Sequence, residues 1–141
     1  MALKDAFCLT YDRMRKYEGS WHIEQRIMFP DYVFLESEDE KRLSEELEQY
    51  RPFLTALGES NTLIPVYKEE EEFLRGLCDE SYHSRMSKGY IRDGNTYVTE
   101  GPLQGKERQI RRIDRHKRLA KLELPGRFHN VNVGLEIYNK V

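Results

Sequence analysis

Eight cations crowd residues 106–121: Lys106, Arg108, Arg111, Arg112, Arg115, Lys117, Arg118 and Lys121, with His116 among them and only Glu107 and Asp114 against them. The formal balance of +6 over this segment is denser than solubility requires. Its chemistry is attraction to a polyanion, in which phosphate neutralisation supplies affinity and makes it salt-dependent. Arg111, Arg112, Arg115 and Lys117 are the sharpest candidates, because the guanidinium fork reaches phosphates or base edges in a fixed geometry. Residues suited to covalent or metal chemistry are dispersed. Cys8 and Cys78 form no CxxC pair, and His22, His83, His116 and His129 have no ligand spacing, so two reduced thiols and no metal site are expected. The chain shows no phosphate-cradling glycine loop, nucleophile elbow or metal-binding helix motif. A protein that binds rather than catalyses, without a cofactor, is the expectation.

The elements that must position the run are legible from pattern. Ala120, Leu122 and Leu124 alternate with Lys121 and Glu123, and Val131, Val133, Leu135 and Ile137 alternate with polar or small residues, so each strand has one face inward and one in solvent. Gly101-Pro102 and Gly105 punctuate the chain before the run and imply a presented loop. Short strands and Gly/Pro turns across residues 89–141 imply a small barrel. Earlier, two extended segments flank Gly19-Ser20 and a third covers 32–36. Ser37 precedes the acidic turn Glu38-Asp39-Glu40, and Leu43, Leu47 and Tyr50 follow at helical spacing, so a helix is expected before Pro52. Residues 53–58 suit a short strand and turn and 61–65 a loop. A second helix is expected over 68–79, with Phe73, Leu74 and Leu77 as its apolar stripe and Glu69–Glu72 as a solvated amino-terminal end.

The total charge of −2 conceals a division. Residues 1–84 hold 10 basic and 19 acidic side chains, net −9, and residues 85–141 hold 13 basic and 6 acidic, net +7. Opposite halves suggest two jobs, and the loss of periodicity over 81–88 places a linker there. No apolar run approaches about 18 residues and no secretion signal opens the chain, so a cytoplasmic protein without a membrane partner is expected.

Two motifs in order resemble one known family. Val98-Thr99-Glu100-Gly101-Pro102-Leu103-Gln104-Gly105, continued by Ile110, Ile113-Asp114-Arg115-His116-Lys117-Arg118 and Ala120, is similar to the KOW motif in the C-terminal barrel of NusG-family transcription elongation factors. Its basic 113–118 stretch is most similar to the LoaP subgroup of antitermination factors. Upstream, Phe29-Pro30-Asp31-Tyr32-Val33-Phe34-Leu35-Glu36 resembles the FPGYVFVE strand of the family's N-terminal NGN domain, with Asp31 in place of glycine. The resemblance implies an α+β chain: an NGN-like α/β sandwich over 1–80, a linker over 81–88, and a five-stranded, SH3-like KOW β-barrel over 89–141. NGN domains open with a strand and helix ahead of the segment matched here by Ala6-Phe7, so the resemblance implies a truncated sheet, open-edged and prone to self-association.

The same resemblance implies partners. Phe29, Pro30, Tyr32 and Phe34 would contact the clamp helices of RNA polymerase, Phe34 alternatively being core and Tyr32, with its polar tip, the better contact. The basic barrel would bind a nascent RNA hairpin, through Lys106, Arg108, Arg111, Arg112, Arg115, His116, Lys117, Arg118 and Lys121. Two alternatives stay open: a barrel that docks a small-subunit ribosomal protein or the Rho termination factor, and an ordinary solvated cationic surface.

Overall fold

The structure, a computed structural model, describes residues 2–49, 63–126 and 130–141. The strand expected at 53–58, with Tyr50 and His129, lies outside them. The described elements are ten strands, two α-helices and one 3₁₀ turn, a mixed α/β chain compatible with the expected α+β class. It parts into two compact units, Met1–Phe7 with Val33–Val66, and Cys8–Tyr32 with Tyr67–Val141. The residues 81–88 expected to link two domains lie within the second unit.

In the first unit, β1 (Leu3–Phe7) pairs antiparallel with β4 (Phe34–Ser37), and α1 spans Glu40–Glu48. Residues 3–7, which take in the Ala6-Phe7 start of the segment matched above, are a strand. Ser37 does not cap the helix: its hydroxyl donates to the Ala2 carbonyl at 2.8 Å, while Asp39 is the N-cap and accepts from the Arg42 N–H at 3.0 Å. Either side chain can cap, but Ser37 belongs to the strand ladder. Phe7 and Phe34 stack at 5.9 Å across the two strands, and Leu43 is the buried residue of α1.

In the second unit, β2 (Thr10–Tyr17) and β3 (Ser20–Ile27) form a hairpin in full register from Thr10↔Ile27 to Tyr17↔Ser20. Its two-residue turn holds Glu18 and Gly19 at φ of 52° and 80°, the left-handed pair whose twist suits a tight hairpin. The extended segments expected around Gly19-Ser20 are this hairpin. Helix α2 spans Lys68–Leu77, with Leu74 and Leu77 buried as the spacing predicts. The reading of its first turn as wholly solvated needs correction. Glu70 is 2% exposed, and its carboxylate accepts from the Tyr67 N–H at 2.9 Å, which satisfies a donor that the helix start leaves open.

Strand β5 (His83–Ser84) runs parallel to β2. A five-stranded sheet follows, built from β6 (Ser87–Arg92), β7 (Asn95–Glu100), β8 (Ile110–Asp114), β9 (Leu119–Glu123) and β10 (Asn130–Lys140) in the order β7-β6-β10-β9-β8. Ala120, Leu122, Val133 and Leu135 are fully buried on its inner face, as the period-two alternation predicts. The loop 101–105 is less a presented tip than an anchor. Leu103 is fully buried and its N–H donates to the Ser87 hydroxyl at 3.0 Å, and a Cβ on Gly101, held at φ +96°, would meet Ser87 Cα at 2.6 Å. Strand β2 passes equally close to β10: a Cβ on Gly134 would meet the Asp12 carbonyl oxygen at 2.5 Å and collide with Met86 Sδ.

Candidate nucleic-acid interface

The basic run folds into the β8–β9 hairpin because apolar Ile110, Ile113, Ala120 and Leu122 recur at strand spacing and turn inward, leaving the intervening cations to face solvent. In the register of the pair, Arg112 stands opposite Lys121, and Lys121 stands opposite Asn132 on β10. All three are exposed, so they form a polar row across three strands. Like charges directly opposite weaken a sheet, so this pairing is not a stabilising device. Arg115, His116 and Lys117 extend the row into the turn, where the Lys117 N–H donates to Asp114 Oδ1 at 2.9 Å and fixes its course. Arg112, Arg115, Lys117 and Lys121 make no ion pair among the described residues.

The other predicted cations are placed differently. Arg111 occupies the bulge between Ile110 and Arg112 and pairs with Glu123. Arg118, at φ 56°, turns back into the protein: its guanidinium lies 3.9 Å from the Trp21 ring centroid, with Nη1 3.1 Å from Glu136 and 3.4 Å from Met14 Sδ. That environment makes it a packing residue. Arg108 is exposed in the 3₁₀ turn Glu107–Gln109, and half-buried Lys106 lies against Gly76 of α2. The dense run therefore resolves into an open cluster of Arg112, Arg115, His116, Lys117 and Lys121, an exposed Arg108 in the preceding turn, and Lys106, Arg111 and Arg118, which lie against other parts of the protein.

Beside the row is a depression of about 200 Å³ whose lining includes Tyr11, Met28, Pro30, Lys121, Asn130 and Asn132. Its lining mixes apolar residues with the polar Lys121, Asn130 and Asn132. No family model matches this chain, and comparison with curated proteins finds no significant relative. The four residues matched to the polymerase-contact strand divide between the two units. Residues 29–32 form a turn, closed by the Tyr32 N–H donating to the Phe29 carbonyl at 3.1 Å, with Pro30 at its favoured second position. Asp31 is accommodated there, but the strand expected over 32–36 begins only at Phe34. Phe29 is 7% exposed and packs edge-on against Tyr32 at 6.3 Å, whereas Tyr32 is 45% exposed. Phe34, half-buried against Phe7, belongs to the first unit.

Sequence reading missed one polar cluster. His83 Nε2 lies 2.7 Å from Asp12 Oδ1, and its Nδ1 lies 2.8 Å from the Thr10 hydroxyl. Hydroxyl, imidazole and carboxylate follow the order used in hydrolytic triads. None of the three lines the depression, and their positions fasten two-residue β5 to β2. Nothing in the spacing of Thr10, Asp12 and His83 signals this, because a parallel pairing across 73 residues joins them. Cys78 is half-buried, and burial with help from the neighbouring Asp79 charge pushes its thiol up to about 12, which keeps it protonated and unreactive. No group of His, Cys, Asp and Glu suited to a metal, and no helix long and apolar enough to cross a membrane, occurs among the described residues.

Proposed function

We propose that this chain is a NusG-type transcription elongation and antitermination factor, which grips a hairpin in the nascent RNA through β8–β9 and contacts the clamp helices of RNA polymerase through the 29–32 turn. The observation that carries the RNA half is the Arg112–Lys121 pairing, continued by Arg115, His116 and Lys117 without acidic partners among the described residues. A sheet gains nothing from that arrangement, whereas a phosphate backbone seated over it relieves the repulsion. The five-stranded sheet over 87–140 and the 98–118 motif that resembles KOW support the same reading. On the polymerase side, the exposure of Tyr32 and Pro30 favours them as contacts, and the burial of Phe29 makes it their support. Binding through two sites raises effective concentration without new contacts, so RNA held by the barrel would strengthen attachment to polymerase and discourage pausing.

The test is a titration of the chain with an RNA hairpin, duplex DNA and a random single strand across salt concentrations. The hairpin should bind best, with log K falling by roughly 0.7–0.9 per phosphate neutralised. Arg115→Gln and Lys117→Gln should each remove about one unit of slope. Equal and weak binding of all three would discard the RNA reading and leave docking to a ribosomal protein or Rho as the account of the barrel.

A further inference from the structure

Three tyrosines gather on the opposite side of the five-stranded sheet order from the basic hairpin, on β6, β7 and β10. Tyr90 and Tyr97 face each other in the register and stack at 5.1 Å with their planes 21° apart, and Tyr138 meets Tyr90 edge-on at 6.2 Å. The Tyr138 hydroxyl is 3.4 Å from the Thr99 hydroxyl, which itself donates to the Lys88 carbonyl, so the outer ring is held in place. These aromatic residues are not a core. Tyr97 is 41% and Tyr138 56% exposed, and the apolar core of the sheet lies on its other face, where Val98, Val133 and Leu135 are buried.

The rim of this patch is cationic. Lys88 and Arg92 flank Tyr90 at two-residue spacing on β6, so strand geometry puts both on the tyrosine face, whereas Lys140, past the irregularity between Ile137 and Asn139, pairs with Ile91 and lies off that face. Lys88 and Arg92 are exposed, and neither has an ion-pair partner among the described residues. Glu100 lies opposite Lys88 and Asp93 sits in the β6–β7 turn, while Glu136 is engaged by Arg118. Cross-strand aromatic pairs do stabilise sheets, but that role needs neither two rings this exposed nor two open cations beside them.

From this juxtaposition we infer that the β7-β6-β10 face is a second nucleic-acid site, which binds unpaired, single-stranded RNA by stacking bases on Tyr97 and Tyr138 while Lys88 and Arg92 hold the backbone. Exposed rings accept any base, because every base has a π-face, and the flanking cations track phosphates. The inference does not rest on the hairpin reading. The hairpin site has no tyrosine in its exposed row, and this site has no two cations opposed in register, so the two select different forms of the same polymer.

The deciding experiment titrates the full chain with a short oligouridylate and with an abasic ribose-phosphate chain of the same length. Stacking predicts that the oligouridylate binds about tenfold more tightly. Tyr97→Leu and Tyr138→Leu, which keep apolar cover on the sheet, should abolish that preference, and Arg112→Gln should leave it intact. If a leucine variant fails to fold, the base-against-abasic comparison on the unaltered chain still decides. Equal affinity for the two oligomers, or folded leucine variants that bind oligouridylate as before, would overturn the inference and make the tyrosines a protein-docking surface.

Discussion

Arg112 on β8 and Lys121 on β9 occupy directly opposed positions in one antiparallel ladder, both exposed. Stability and binding therefore pull in opposite directions at this pair. Arg112→Glu should raise stability by about 0.2–1 kcal/mol by turning repulsion into attraction, while hairpin affinity and its salt slope both fall. Denaturant unfolding and RNA titration of the same variant check both signs, and an unchanged affinity would count against the interface.

Arg118 should behave in the reverse sense. Its guanidinium joins Trp21, Met14 and Glu136, and a cation–π contact with a half-buried ion pair is worth about 1–2 kcal/mol together. Arg118→Ala should lose about that much stability yet keep the salt slope of RNA binding. A slope reduced as much as in Arg115→Gln would return Arg118 to the interface.

Gly134 marks the place where β2 crosses β10. Gly134→Ala forces a methyl group against the Asp12 carbonyl and Met86, and one of those segments must move. A loss of about 2 kcal/mol or more is expected in chemical denaturation, and an unchanged midpoint would contradict the close approach.

Tyr32→Ala removes an exposed ring from a turn that its backbone already closes. Stability should change by less than about 1 kcal/mol, RNA binding should persist, and retention on immobilised RNA polymerase should drop.

The two thiols should separate by reactivity. Cys8 is exposed, whereas the Cys78 thiol is pushed up to about 12, chiefly by burial. Alkylation near pH 9, followed by peptide mass mapping, should label Cys8 long before Cys78, because the thiolate is the nucleophile. The linkage has a definite sign: between the ordinary thiol range and about 12, the unfolded chain releases a proton that the folded chain keeps. Cys78 therefore contributes stability that declines as pH rises through that window.

Local physics made much of this protein legible in its sequence. The β2–β3 hairpin follows from a turn with Gly19 between β-rich segments, α2 from Leu74 and Leu77 at helical spacing, and the inner faces of β9 and β10 from strict alternation, since each depends on residues within a few positions of one another. The charge of the β8–β9 segment was equally plain. Which cations stay open was not. Arg111 meets Glu123, and Arg118 turns onto Trp21, 97 positions earlier in the chain, through a left-handed turn residue and a hairpin crossing that no spacing encodes. The same holds for the His83–Asp12 contact, buried Glu70 and the three-tyrosine face, all of which arise where distant strands or helix ends meet. Sequence by itself determined the periodicities and the placement of charge; only tertiary pairing decided which charged and aromatic groups it satisfied internally and which it left for a partner.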